Sequence, residues 1–577
     1  MAVAILVVIW FAFTFPAFTG KARFPMDIVG PAPNQVARPL VNAELGDAVV
    51  ALYPWDSYLG ERLRAGHLPL WDPYRFGGTA FAAEIATGTF YPPNWLYASG
   101  HVLFTFTFIA VASLLGALLM AYWFFRKVAL HPYAAAAGAV VFTFSAFLMK
   151  WSSNEHVFGS AIWLPLALGG LEVARRGIII TAAALALSLL AGHAQIALIV
   201  WLATAVWAGV GLASSALATR RSTAGDNGRL RREAMSTVAA FALAAGLAAV
   251  QLLPTAQFSG LIVRQDTTFA QARLSALPVR HAPTLVLPDY LGSPLNGNYA
   301  GAVNYTETAL YAGLLTLPLA VLGLLKRPGR LAAFFGLLTL IGVLATLGTP
   351  FYRLILALPG FSRTLYVTRF ILLIDAGLAG LAAIGLHSLI VEPTRRSVAL
   401  VLVPLGVLVG VLAVLTVHRV TPLPGSYIVP RGVRALGLTL VGGAVVAAIV
   451  VVPSRVTWLA LGVLGVLALD LWLFAFPYIP YQSPRPVYGR LPAVTALAAV
   501  AGPRPRFASV TGSSLFPNWG LHYRLYGIEG YDPFIPKRMV ELVGLADDQL
   551  VQAHIARVDA GVDATAMNLF GPFRPTA

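Results

Sequence analysis

Two sets of residues in this sequence have the types and spacing for chemistry. The first is acidic: Asp47, Asp56, Glu61, Asp72 and Glu84 fall within residues 42–97, among Trp55, Trp71, Trp95 and several tyrosines. A carboxylate within hydrogen-bond reach of a hydroxyl can take its proton, and aromatic faces give a ligand something to stack on. The second set is basic: Arg363 and Arg369 lie in FYRLILALPGFSRTLYVTRF, and the planar guanidinium fork matches phosphate oxygens. Polar residues of both characters stand between them in the chain. These are Glu155 and His156 in SSNEHVFG, His193 and Gln195 in GHAQ, and Tyr305 and Glu307 in NYTET. The chemistry on offer is proton removal at one place and anion binding at another. Each residue also has a plainer reading: tryptophans as membrane-belt rings, Asp72 as a turn residue, the arginines as snorkelling side chains, the histidines as solvated loop residues, and Glu307 as a helix cap.

The positioning elements are membrane helices. The 577 residues are 58% hydrophobic and only 11% charged, with mean hydropathy +0.75, well short of the ~25% charged content of soluble domains. The formal charge of +16 comes as short basic clusters between apolar runs, which is the positive-inside pattern and not a nucleic-acid-reading face. Cysteine is absent, which removes disulfides, thiolate catalysis and cysteine metal sites, and no HExxH is present.

About thirteen apolar runs are long enough to be counted as spans. They are Ala2–Phe18, His101–Phe125, Pro132–Met149, Phe158–Val173, Gly177–Gly192, Ile196–Ala213, Ser236–Pro254, Thr308–Leu325, Leu331–Gly348, Phe370–Ile390, Ser397–Val417, Ala435–Val452 and Val456–Phe474. Ala2–Phe18 is read as a retained span, because no Lys or Arg precedes its apolar run and AFTGKA is a poor cleavage site. With a cytoplasmic N-terminus, Arg126/Lys127, Arg175/Arg176, the Arg220–Arg232 cluster, Lys326/Arg327/Arg330, Arg395/Arg396 and Arg455 all face inward in short connections. The long loops 20–100 and 255–307 then lie outside, as do the exceptions Arg363, Arg369, Arg431 and Arg434. The chain divides into a transmembrane domain, 1–476, and an extracytoplasmic region, 477–577, whose mixed texture suits either a small α+β module or a segment draped on the outer loops. Within the first loop, Val50, Tyr53, Tyr58, Leu59 and Leu63 predict an amphipathic helix with Pro54 near its first turn, and WDPYRFGG predicts a tight turn. Intramembrane Asp375 is open to a salt bridge or polar contact and to a proton path, Asp470 to a place near the outer headgroups, and GYDPF at 530–534 is read as a turn that docks the tail.

GDAVVALYPW, LRAGHLPLWDPYRFGGTAFAAEIATGTFYPPNWL, GSAIWLPL, AGHAQ, NYTETALYAG and GIEGYDPF, occurring in that order, resemble the YfhO family of bacterial membrane proteins. The resemblance runs from the first loop to the tail. It departs in Glu84, where Gln is the more usual residue, and in a short tail. The resemblance implies a GT-C-like, all-α polytopic fold with a large first outer loop carrying interfacial helices, in a bacterial plasma (inner) membrane. It implies a glycosyltransferase that takes a monosaccharide from a polyprenyl-phosphate-sugar donor to an envelope glycopolymer or lipid acceptor at the outer face. The catalytic acid of that first loop matches Asp47.

On that reading Asp47 takes the acceptor proton, attack passes through an oxocarbenium-like state, and the leaving phosphate is held by Arg369 or Arg363. Asp56, Trp71, Asp72, Glu84, His156, His193, Gln195, Tyr305 and Glu307 are candidates to bind sugar or acceptor. Asp47, Asp56, Asp72 and Glu84 offer oxygen ligands for a divalent cation, but a phosphate held by arginine needs no metal, and none is expected as cofactor. Two other function classes stay open: a transporter or flippase of a lipid-linked saccharide, and a non-catalytic assembly scaffold. A transporter places charged pairs or broken helices near the bilayer midplane, whereas the acids and histidines here crowd the outer loops.

Overall fold

The computed structural model describes residues 1–29, 42–173, 176–221, 227–264, 266–302, 304–308, 310–326, 329–418, 421, 423–487, 489, 494–496, 506–507, 518–528 and 530–546. Arg175, Arg327, part of the Arg220–Arg232 cluster and the tail beyond residue 546 therefore lie outside the described residues.

The chain is a multi-pass helical bundle. Among the described residues, eight helical stretches are long and apolar enough to cross a membrane: Ala2–Thr19, Val102–Lys127, Ala194–Arg220, Leu230–Ser259, Val367–Val391, Arg395–His418, Gly425–Val451 and Pro453–Tyr478. Pro132–Phe144, Gly177–Leu190, Thr316–Lys326 and Arg330–Thr346 are shorter apolar helices. The apolar runs, about thirteen by sequence, thus differ in length, with short helices fitted between long ones. The expected span Phe158–Val173 is two pieces, Glu155–Ala161 and Leu164–Gly170. Pro165 opens the second piece, where its missing N–H costs nothing but forbids a continuous helix.

Val367–Val391 is the axis of the bundle, almost wholly buried. Small residues let its neighbours approach closely. A methyl at Gly385 would stand 2.0 Å from the Leu319 carbonyl oxygen and one at Gly323 2.1 Å from that of Leu381, so Thr316–Lys326 meets the axis backbone to backbone. Arg330–Thr346 and Pro132–Phe144 complete the sheath. Arg369 sits in the first turn of this rigid element and inherits its fixed position.

The two ends of the bundle are chemically different. One end carries the pairs Arg330–Glu172 (2.6 Å) and Lys326–Glu392 (3.8 Å), which join the basic connections assigned inward. The other end carries the long loops. There Tyr53–Arg64 is the expected amphipathic helix, with Pro54 in its first turn and Pro54, Trp55, Tyr58 and Leu59 buried, while Glu61 is exposed. A π-helical segment, Ala48–Leu52, leads into it. The bundle thus ends in a layer of short helices and turns.

The described parts of the tail lie on this layer. Tyr481–Gln482 pairs antiparallel with Ala22–Arg23, Arg506–Phe507 pairs in parallel with Tyr526–Gly527, and Lys537–Ala546 follows as a helix. The Gly527 amide donates to the Tyr74 carbonyl, and the Gly77 amide to the Gly527 carbonyl. Asn518 closes the GYDP turn through both its amide atoms to Tyr531.

Candidate active site

Tyr53–Arg64 carries Asp56 inward against the start of Glu155–Ala161. Asn154 caps that second helix by accepting from the Val157 amide (3.2 Å), which fixes Glu155 and His156 in its first turn. Both were expected in an open loop and are instead buried, 6% and 4% exposed. Tyr97 Oη donates to the Glu155 carboxylate, 2.8 and 2.9 Å from its two oxygens. Asp56, Glu155 and His156 each present a ligand atom within 4.8 Å of the others. Asp56 lies against Glu155 and Tyr97, while His156 Nε2 has no hydrogen-bond partner among the described residues.

Burial governs the protonation of this group. It raises the Asp56 carboxyl well above the usual range, with Glu155 adding to the effect, and pushes Glu155 up to about 7. It lowers His156 to about 4. Two carboxyl groups and a neutral imidazole, buried and partly without partners, fit a divalent cation of the oxygen-and-nitrogen-binding kind. This set shares only Asp56 with the four carboxylates grouped by sequence, because the fold takes Asp47, Asp72 and Glu84 elsewhere.

Arg369 forms the second part of the site. Its Nε donates to Glu307 Oε1 (3.0 Å), its NH2 lies 3.0 Å from the same oxygen, and NH1 reaches His193 Nε2 (2.9 Å) and Gln195 Oε1 (3.3 Å). The guanidinium carbon stands 4.6 Å from the Tyr366 ring centroid and 5.4 Å from that of Trp151. Thr368 and Asn304 hold Glu307 from either side, and Gln195 is steered by its bond to the Tyr366 carbonyl. Burial, with Arg369 beside it, keeps His193 well below its usual pKa and hence neutral. The two parts adjoin through the AGHAQ turn. Gly192 has φ +108, and a methyl there would stand 3.0 Å from His156 Nδ1, so the turn brings His193 to Arg369 and its own backbone to His156.

The remaining sequence candidates are placed differently. Asp72 and Glu84, expected to bind sugar or acceptor, are fully buried on Arg75, at 2.5 and 2.8 Å, with Asp532 of the tail at 2.9 Å. Their oxygens are engaged within the protein, where these carboxylates join the first loop to the tail through Arg75. Asp72 also accepts from the Tyr74 amide (2.7 Å) in the predicted turn. Arg363 is half exposed and pairs with Asp266 (2.6 Å), apart from the Arg369 network. Trp71 is about half exposed beneath Arg538, whereas Trp55 is buried and stacked on His156. Asp47 is partly exposed at the head of the π-helical segment and accepts from Tyr531 Oη (2.7 Å). Tyr305 donates to Asp289 (2.5 Å), while Glu44 receives the amides of Tyr305 and Thr306 (2.7 and 2.9 Å).

Several residues in these networks were not singled out from sequence: Arg75, Glu44 and Asp289. Arg75 stands inside the WDPYRFGG turn beside Asp72, and that i,i+3 acid–base spacing was a signal for it. Glu44 and Asp289 had none: Glu44 meets Tyr305 and Thr306 across 261 and 262 residues of chain, and Asp289 meets Tyr305 across 16 residues of irregular loop.

No protein-family model matches the chain, and no curated protein matches it. Among solved structures it is similar to ArnT from Cupriavidus metallidurans in two states. The structure bound to undecaprenyl phosphate superposes with a TM-score of 0.41 at 13% identity, and the apo structure with 0.44 at 14% identity. Each superposition covers 91% of this chain and 84% of the other. At that level of likeness, the functional reading of this multi-pass helical membrane protein rests on the geometry of its own site.

Proposed function

We propose that the protein is a GT-C-type glycosyltransferase that moves a monosaccharide from a polyprenyl-phosphate donor to an envelope glycopolymer or lipid at the outer membrane face. One observation supports this above the others: the Asp56–Glu155–His156 group and the Arg369 group adjoin through His156, Gly192 and His193. Transfer needs an anion holder for the departing phosphate beside polar groups that manage charge at the sugar. Arg369 holds the donor phosphate, with neutral His193 and Gln195 fixing its fork. A cation bound by Asp56, Glu155 and His156 would supply a further positive charge for the phosphate oxygens. Asp47 takes the acceptor proton. Its partial exposure leaves it reachable by a hydroxyl, whereas Asp56 is fully buried beside Glu155 and His156.

The test is transfer of radiolabelled sugar from a polyprenyl-phosphate donor in membranes carrying the protein. Asp47→Asn is expected to reduce turnover by at least ~100-fold with little change in donor KM, the range for a lost acid–base group. Unimpaired transfer by that variant removes Asp47 as base, and loss confined to Asp56→Asn moves the role there. Absence of transfer by the native protein, with labelled lipid crossing the bilayer, replaces the transferase reading with a flippase. Asp375 is what favours that second reading: it is a carboxyl group fully buried inside the apolar stretch Val367–Val391.

A further inference from the structure

Arg431 and Arg434 break the charge bias of the outer loops, and neither belongs to the site above. Both line a cavity of about 380 Å³ at the looped end of the bundle. The wall is formed by Pro430 near the start of Gly425–Val451, Leu473 and Phe474 near the end of the antiparallel neighbour Val456–Ala475, and Asp289, Ser293 and Tyr305 of the second long loop. One side is hydrocarbon and the other carries hydrogen-bonding groups and charge. The volume is at the lower end of ligand pockets, roughly 300–1,000 Å³.

The two arginines are engaged to different degrees. Arg431 is held: its Nε is 3.7 Å from Asp289 Oδ2, its NH1 donates to the Tyr427 carbonyl (2.9 Å), and its guanidinium lies 3.6 Å from the Tyr427 ring centroid. Asp289 is shared with Tyr305 Oη. Arg434, one turn on, is exposed to the cavity and has no carboxylate at ion-pair distance among the described residues. Asp470 is within its electrostatic reach but is engaged by Tyr311 Oη (2.5 Å) and the Leu314 amide (2.8 Å). Counting Asp289 against the two arginines leaves the lining with one positive charge in excess. A guanidinium turned into a half-apolar cavity inside a helix of hydrocarbon-spanning length is costly unless an anion meets it.

We propose that this cavity is a second lipid site, which seats the phosphate-bearing headgroup of a membrane amphiphile on Arg434 and runs its chain along Leu473 and Phe474. The site stands across one short segment from the first. Tyr305 lines the cavity, and Glu307, two residues on, holds Arg369. The site needs no transfer chemistry, so its test is separate from that of the transferase.

The experiment is a titration of the full-length protein in phosphatidylcholine nanodiscs with dihexanoyl phosphatidic acid, dihexanoyl phosphatidylcholine and inorganic phosphate, read by calorimetry. Saturable binding of the phosphatidic acid is expected, weakened at least ten-fold in Arg434→Gln, partly restored in Arg434→Lys, and unchanged in Arg455→Gln at the opposite end of the bundle. Equal affinity for inorganic phosphate overturns the lipid assignment, because the apolar wall then contributes nothing. Equal affinity for phosphatidylcholine overturns the anionic specificity. Unchanged binding in a monodisperse Arg434→Gln protein overturns the site.

Discussion

A carboxyl group buried without a cation holds on to its proton, and Asp56 and Glu155 are buried side by side. Glu155, pushed up to about 7, ionises only as the pH passes neutrality, and Asp56 resists further. A divalent ion competes with those protons, so its affinity must rise with pH. Calorimetry with Mn²⁺ is expected to show tightening between about pH 6 and about pH 8, in the range where Glu155 titrates, with proton release on binding. Glu155→Gln removes both the tightening and the release. His156, already neutral, contributes no pH dependence there. At Arg369 the geometry of the fork matters more than the charge. Lysine keeps the charge but cannot serve Glu307, His193 and Gln195 together. Arg369→Lys is expected to lower kcat/KM for the donor about 100-fold, the scale of one lost transition-state donor, measured in the same transfer assay.

Among the elements, the tail is fastened to the first loop by a buried group of unusual charge: one guanidinium, Arg75, with Asp72, Glu84 and Asp532. Burial raises Glu84 well above the usual carboxylate range, and Asp532 adds to this. Its folded pKa exceeds its unfolded one, so its stabilising contribution is complete below the unfolded pKa and is lost as pH rises through the folded value. Limited proteolysis of the tail should therefore quicken as the pH rises above the ordinary carboxylate range, and Glu84→Gln should flatten that dependence. Arg75→Met leaves three carboxyls without their cation and is expected to cost about 3–5 kcal/mol, releasing the tail at neutral pH. A second element-scale contact sets the distance between the first-loop helix and Glu155. A methyl at Gly60 would stand 2.3 Å from the Tyr97 carbonyl oxygen, so Gly60→Ala must push away the segment whose hydroxyl holds Glu155. A loss of about 1–3 kcal/mol is expected in thermal unfolding, with weaker Mn²⁺ binding alongside it.

For the whole molecule, the sorting of basic connections to one end and long loops to the other predicts which side each faces. The chain has no cysteine, so single cysteines report without background. Ala65→Cys and Ser454→Cys are both at exposed positions. A membrane-impermeant maleimide on intact cells should label Ala65→Cys directly and Ser454→Cys only after permeabilisation. The reverse result inverts the topology and puts the Arg369 site in the cytoplasm.

Sequence alone determined what depends on local pattern. Apolar run length set most of the long spans, proline and spacing set the helix at Tyr53–Arg64, and asparagine, glycine and proline set the turns. These signals are read within one or two helical turns, where backbone geometry and transfer from water act directly. Pairing of side chains across the bundle was not legible, because partners such as Arg75 and Asp532 are separated by 457 residues and a pattern carries no distance information. The same gap explains why Asp72 and Glu84 looked like ligand-binding acids, and why Arg363 stood beside the favoured Arg369 as a phosphate holder. Only the tertiary structure decided which charges are neutralised inside the protein and which face a cavity, since burial and the nearest opposite charge, not residue type, fix what an ionisable group can do.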